Sequence, residues 1–81
     1  MITDRQYSYL IYLLTDNMSY KQEVREMMMP RQKGIVDITQ LEFEKWLHEL
    51  GSSEAGDLID TAKKEDWSTF KKLLTAYGYY E

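Results

Sequence analysis

The chain has 81 residues, 43% of them hydrophobic and 30% charged, with four glycines, one proline and a net charge of −4. At about 100–200 residues per domain, that leaves room for one domain, residues 1–81, and none for a second. The hydrophobic share excludes a disordered polymer, and the lack of cysteine excludes disulfide staples and thiolate chemistry.

A folded chain of this mass exposes roughly 5,100 Å², against roughly 14,000 Å² unfolded. Apolar burial at ~25 cal/mol/Å² contributes on the order of 120–130 kcal/mol. Ordering the residues at ~1.5 kcal/mol each costs on the order of 120 kcal/mol. The surplus is small, so a partner surface would help. The longest uncharged stretch, residues 6–15, is ten residues long. It is about half a membrane span and lacks the basic start of a signal peptide. These features set the expectation of a soluble protein of the cytoplasm with no membrane partner.

The elements read as helices from the start. Thr3 with Gln6 forms a capping box, with Ile2 placed to staple against Tyr7. Tyr7, Leu10, Ile11 and Leu14 then follow at i, i+3, i+4 and i+7, and Asp16-Asn17 suggests the end. Ser19 with Gln22 reads as a second capping box, followed by a face of Tyr20, Val24, Met27 and Met28 that Pro30 stops. Residues 30–38 read as an extended connector whose Ile35 or Val36 plugs the core. Thr39 with Glu42 predicts a third start, with Ile38 stapling to Phe43. Phe43, Trp46, Leu47 and Leu50 give its face, and Gly51 is placed for a left-handed cap. Ser52 or Ser53 opens a fourth helix bearing Ala55, Leu58, Ile59 and Ala62. Asp66 with Thr69 opens a fifth, carrying Trp67, Phe70, Leu74 and Tyr77, which Gly78 ends. The expected fold is all-α, a compact bundle of four to five short helices.

Two patches carry a resemblance. The opening ITDRQYSYLIYLL runs from a threonine-acid-x-glutamine start into an aromatic-aliphatic helix, and SSEAGDLIDTA repeats a serine, spacer, glutamate-alanine, leucine-isoleucine-aspartate pattern. Together they resemble small helical phage proteins and tail domains that accompany recombination or single-strand-DNA proteins. The patches cover about 24 positions, and the stretch between them, with MMMP and EFEKWLHEL, departs from the pattern. The resemblance implies a phage or mobile-element origin, a bacterial host cell and a setting of nucleic-acid processing. It carries over no catalytic residue.

Residues able to do chemistry are few. His48 is the only histidine, with Glu44 one turn earlier on the same helical face. That spacing reads as a surface pair, since structural zinc wants four ligands and usually cysteine. No Gly-x-Gly-x-x-Gly, P-loop or His-Glu-x-x-His pattern occurs. The expectation is no enzyme, no cofactor and no metal.

Binding is better represented. Tyr9 and Tyr12 point away from the first helix's apolar side, either into a second packed layer or into a contact patch. Three successive methionines sweep roughly 200° of helix, which leaves Met29 as a candidate contact beside two core residues. Tyr79 and Tyr80 at the tail pack back or stand exposed. Residues 37–66 carry net −6, including Glu42, Glu49, Glu54 and Asp57, which read as solvated faces or as an acidic surface that docks in a basic groove. Residues 21–33 carry net +2, and Lys21, Arg25, Arg31 and Lys33 form the alternative, a strip able to hold single-stranded nucleic acid. An isoelectric point near 4.9 weighs against that alternative.

The sequence therefore points to a protein-interaction module. Its sharpest form is an anti-CRISPR-like inhibitor of a nucleic-acid-processing or defence protein. Partner contacts would come from Tyr9, Tyr12, Met29, Glu42, Glu49, Glu54, Asp57, Tyr79 and Tyr80. The alternatives are an accessory protein binding single-stranded DNA and a structural protein that self-associates, as a homodimer, through helix one.

Overall fold

The computed structural model describes residues 1–81. Helix α1 spans Asp4–Leu14, and a hairpin of β1 (Thr15–Asp16) and β2 (Ser19–Tyr20) follows it. Helix α2 (Gln22–Met28) runs into a 3-10 turn, Met29–Arg31. Helices α3 (Val36–His48), α4 (Ser52–Lys63) and α5 (Trp67–Ala76) complete an all-α fold. The chain exposes 5224 Å², close to the surface that its mass implies for a compact globule. None of its helices is long and apolar enough to cross a membrane.

The first capping box forms as its residues dictate. Thr3 Oγ1 accepts from the Gln6 amide at 3.0 Å, and Gln6 Oε1 accepts from the Thr3 amide at 3.1 Å. The Gln6 side-chain amide also donates to the Ser52 carbonyl at 3.0 Å, which ties the start of α1 to the start of α4. Leu10 and Leu14 are fully buried where α4 packs along α1. Helix α1 then stops at Leu14 because Thr15 turns extended, at φ −118°.

The hairpin is absent from the sequence reading. Asn17 and Met18 both take positive φ, 50° and 68°, as a two-residue type I′ connection requires. Asparagine accepts that conformation readily, whereas methionine does so against its side chain. Ser19 is consequently a strand residue and does not cap α2. Lys21 is the N-cap residue, without a side-chain cap bond.

The connector is shorter than expected, because α3 begins at Val36. Thr39 lies inside the helix, buried, with its hydroxyl donating to the Ile35 carbonyl at 3.2 Å. A threonine hydroxyl can bond one turn back as well as cap forward, and here it does the former. Ile35 and Val36 do not plug the core: they are 56% and 47% exposed. Gly51 takes φ −72° instead of a left-handed cap and serves as the N-cap of α4, its amide donating to Glu54 Oε1 at 3.0 Å. Neither Ser52 nor Ser53 has that role.

Two helix ends use the 6→1 bond of a left-handed stop. In α4, Glu65 holds φ 54° while the Asp66 amide donates to the Thr61 carbonyl at 3.0 Å. In α5, Gly78 holds φ 88° while the Tyr79 amide donates to the Leu74 carbonyl at 2.9 Å. Asp66 caps α5 as its sequence predicts, accepting from the Thr69 amide at 3.2 Å.

The second stop folds the tail inward. Tyr79 is 1% exposed and meets Phe43 edge-on at 5.3 Å and Trp46 at 5.1 Å. The core is thus Leu10, Leu14, Val24, Leu58, Phe70 and Leu74 from four helices, closed over α3 by Phe43, Leu47 and Tyr79.

Candidate interaction surface

The candidate chemical pair does not assemble. His48 lies flat on the ring of Tyr7, with centroids 3.8 Å apart. Glu44 Oε2 instead accepts from the Tyr20 hydroxyl at 2.6 Å. Burial, reinforced by the Glu44 carboxylate, pushes the Tyr20 phenol far above its ordinary range, so the pair is a structural hydrogen bond. Burial and the same carboxylate raise Tyr7 as well. No group of three or more histidine, aspartate or glutamate side chains is placed to hold a metal ion.

The nine expected contact residues divide. Tyr9 and Tyr12 stand out from α1, 40% and 73% exposed, with their rings near parallel at 6.4 Å. Met29 is 59% exposed, and Glu49 lies open at the end of α3. The others serve the fold. Glu54 caps α4, and Asp57 accepts from the Tyr77 hydroxyl at 3.0 Å. Tyr79 belongs to the core, because the left-handed turn at Gly78 carries it under α3. Tyr80 is half-buried and donates to the Met27 carbonyl at 2.8 Å. Glu42 faces Arg31 at 3.9 Å, with one oxygen buried and without a hydrogen bond. The acidic face is therefore partly consumed inside the monomer.

The basic strip does not form one surface. Lys21 pairs with Glu65 at 3.6 Å and lies over Trp67 at 5.7 Å. Arg31 sits over the Tyr79 ring at 4.8 Å while facing Glu42. Arg25 hydrogen-bonds Gln22 at 2.7 Å, on the rim of a different cleft from the one that Arg31 and Lys33 line. Lys21 and Arg31 are thus each engaged by a carboxylate and an aromatic ring of the chain itself.

A surface absent from the sequence reading appears at the corner of α2 and α3. Ile35, Val36, Ile38 and Leu41 are 46–63% exposed and stand with Met29 around the start of α3. At about 100° per residue, Ile38 and Leu41 lie on the side of α3 opposite Thr39, Phe43 and Leu47. Between Met28, Met29 and Val36 opens a cleft of about 190 Å³, rimmed by Gln22, Arg25 and Gln32. The signal was present in the sequence: Leu41 falls outside the Phe43, Trp46, Leu47, Leu50 stripe, and Ile38 joins it once the helix start moves back to Val36.

No protein-family model, curated protein or solved structure matches the chain.

Proposed function

We propose that this protein acts by binding another protein, and that the docking surface is the α2–α3 corner. The observation that carries the reading is the unpartnered set Met29, Ile35, Val36, Ile38 and Leu41. Five side chains about half exposed amount to roughly 500 Å² of apolar surface wrapped around the corner, Met29 and Val36 on the cleft and Ile38 and Leu41 on the other side of α3. The cleft beside them accepts about one leucine- or phenylalanine-sized anchor, and its glutamine and arginine rim can satisfy the backbone around that anchor.

The finer proposal concerns the partner, a nucleic-acid-processing or defence protein of the bacterial cell that this module inhibits. The resemblance of residues 2–14 and 52–62 to phage modules and the net charge of −4 support it. Glu49, exposed at the far end of α3, adds acidic charge that a basic partner would meet beyond the corner.

A tagged protein is expected to retain one stoichiometric protein from bacterial lysate after nuclease treatment. Leu41→Asp is expected to lose it, while Lys63→Ser, at an exposed position of α4, keeps it. Capture that collapses with nuclease, or that Leu41→Asp leaves unchanged, overturns the reading.

A further inference from the structure

The outward face of α1 carries a second unpartnered surface, and its residues are arranged about a point of symmetry. Arg5, Tyr9 and Tyr12 lie within about 60° of one another around the helix. Asp16 continues the same side, since it lines one open cleft together with Tyr12 and Met18. Neither Arg5 nor Asp16 has an ion-pair partner within the chain. The order along the face is cation, ring, ring, anion.

We propose that two copies of this chain associate antiparallel through α1, with Arg5 of each copy facing Asp16 of the other and Tyr9 of each packing on Tyr12 of the other.

The register follows from the numbering. A two-fold axis midway between Leu10 and Ile11 relates position 9 to 12, 8 to 13 and 5 to 16. An isologous interface requires this kind of self-complementarity. Arg5 lies about 8 Å along the helix from that axis. Asp16, two extended residues beyond Leu14, lies on the order of 8–12 Å from it. An arginine side chain spans the difference. The near-parallel pair of rings on each copy presents flat faces for offset stacking, the arrangement that aromatic pairs prefer.

Size agrees with a weak dimer. Tyr9 at 40%, Tyr12 at 73% and Met18 at 99% exposure leave roughly 500 Å² per copy to cover. The total of about 1,000 Å² sits at the threshold for specific association, so the dimer should be weak and reversible. Met18 gains a reason for its place. A methionine at the tip of a type I′ turn, in positive φ and out in solvent, costs backbone energy that a second copy covering it offsets.

The test is sedimentation equilibrium of the purified protein across a wide concentration range. Wild type is expected to show a reversible monomer–dimer equilibrium. Arg5→Asp and Asp16→Arg are each expected to weaken it by about tenfold or more, because each places like charges together twice per dimer. The double variant Arg5→Asp/Asp16→Arg restores the pairs in reverse and should return within about threefold of wild type. A folding defect cannot give that recovery. A monomer at ~1 mM, a dimer indifferent to both single changes, or a double variant as weak as the singles overturns the proposal. No lysate component is involved, so its failure leaves the α2–α3 corner reading intact.

Discussion

Replacing Tyr79 by phenylalanine removes one oxygen and leaves the ring among Phe43, Trp46, Tyr80 and the Arg31 guanidinium. The lost hydroxyl makes no hydrogen bond within the chain, so the change should cost under about 1 kcal/mol at pH 7. Alkaline pH separates the two proteins. Burial pushes the Tyr79 phenol from 10.0 up to about 12, with Tyr80 and Glu42 adding to the rise and Arg31 offsetting part of it. Between those values the unfolded chain releases a proton that the folded chain keeps, so stability present below pH 10 is lost as pH rises toward 12. The displacement is worth on the order of 2–3 kcal/mol, out of roughly 4–12 kcal/mol for a domain of this size. Urea unfolding at pH 7, 10 and 11.5 reads the difference. The wild type should lose on the order of 2 kcal/mol more than Tyr79→Phe over that interval. Equal alkaline losses, or a large loss in Tyr79→Phe at pH 7, would refute the placement of Tyr79 in the core.

Further changes probe the helix ends and the Tyr20 bond. Gly78→Ala meets no clash, the nearest atom to a new Cβ being a Glu81 carboxylate oxygen in ordinary contact at 3.6 Å. Its cost is therefore backbone strain alone, about 1–2 kcal/mol, read as a fall of roughly 4–15 °C in Tm. Glu65→Gly relieves the same strain at φ 54° and gives up only an exposed ion pair with Lys21, so its Tm should rise by a few degrees. Tyr20→Phe leaves Glu44 without its donor in a half-buried setting and should destabilise by about 1–3 kcal/mol in chemical denaturation. Asp66 is held below the usual carboxylate range by its side-chain and backbone hydrogen bonds at Thr69. Its stabilising share is present above the unfolded carboxylate pKa and disappears as pH falls through the lowered value. Asp66→Asn should remove that part of the acid dependence in thermal melts between pH 2 and 5.

Sequence pattern revealed the helices where local rules act alone. Thr3 with Gln6, Asp66 with Thr69, and Gly78 each satisfy a backbone group within three or four residues, so their roles were readable. The Val24, Met27, Met28 stripe and the split among the three methionines also follow from helix geometry, whereas Tyr20, expected on the same face, reaches the core from β2. The failures share a cause, which is that one residue type has two local uses. Thr39 can cap forward or bond one turn back, and the choice moved the start of α3 by four residues, one helical turn. That shift turned Ile35 and Val36 from expected core plugs into exposed surface. Asn17-Met18 lacks the glycine that usually marks a type I′ hairpin, so the hairpin stayed hidden.

The surface was less legible than the core. The exposure of Tyr9, Tyr12 and Met29 was readable as a choice between two faces of a helix. The consumption of Glu42, Glu54 and Asp57 by Arg31, the α4 cap and Tyr77 was not, because those contacts depend on how the helices pack. The separation of Lys21 from Arg31 and Lys33 has the same origin.

The most direct test of the central claim is photocrosslinking in cells. A benzophenone amino acid placed at Leu41 should yield one discrete adduct with a protein other than this chain, while the same group at Lys63 yields none. Adducts of equal strength from both positions, or none from Leu41 with the protein folded and abundant, would contradict a docking surface at the α2–α3 corner.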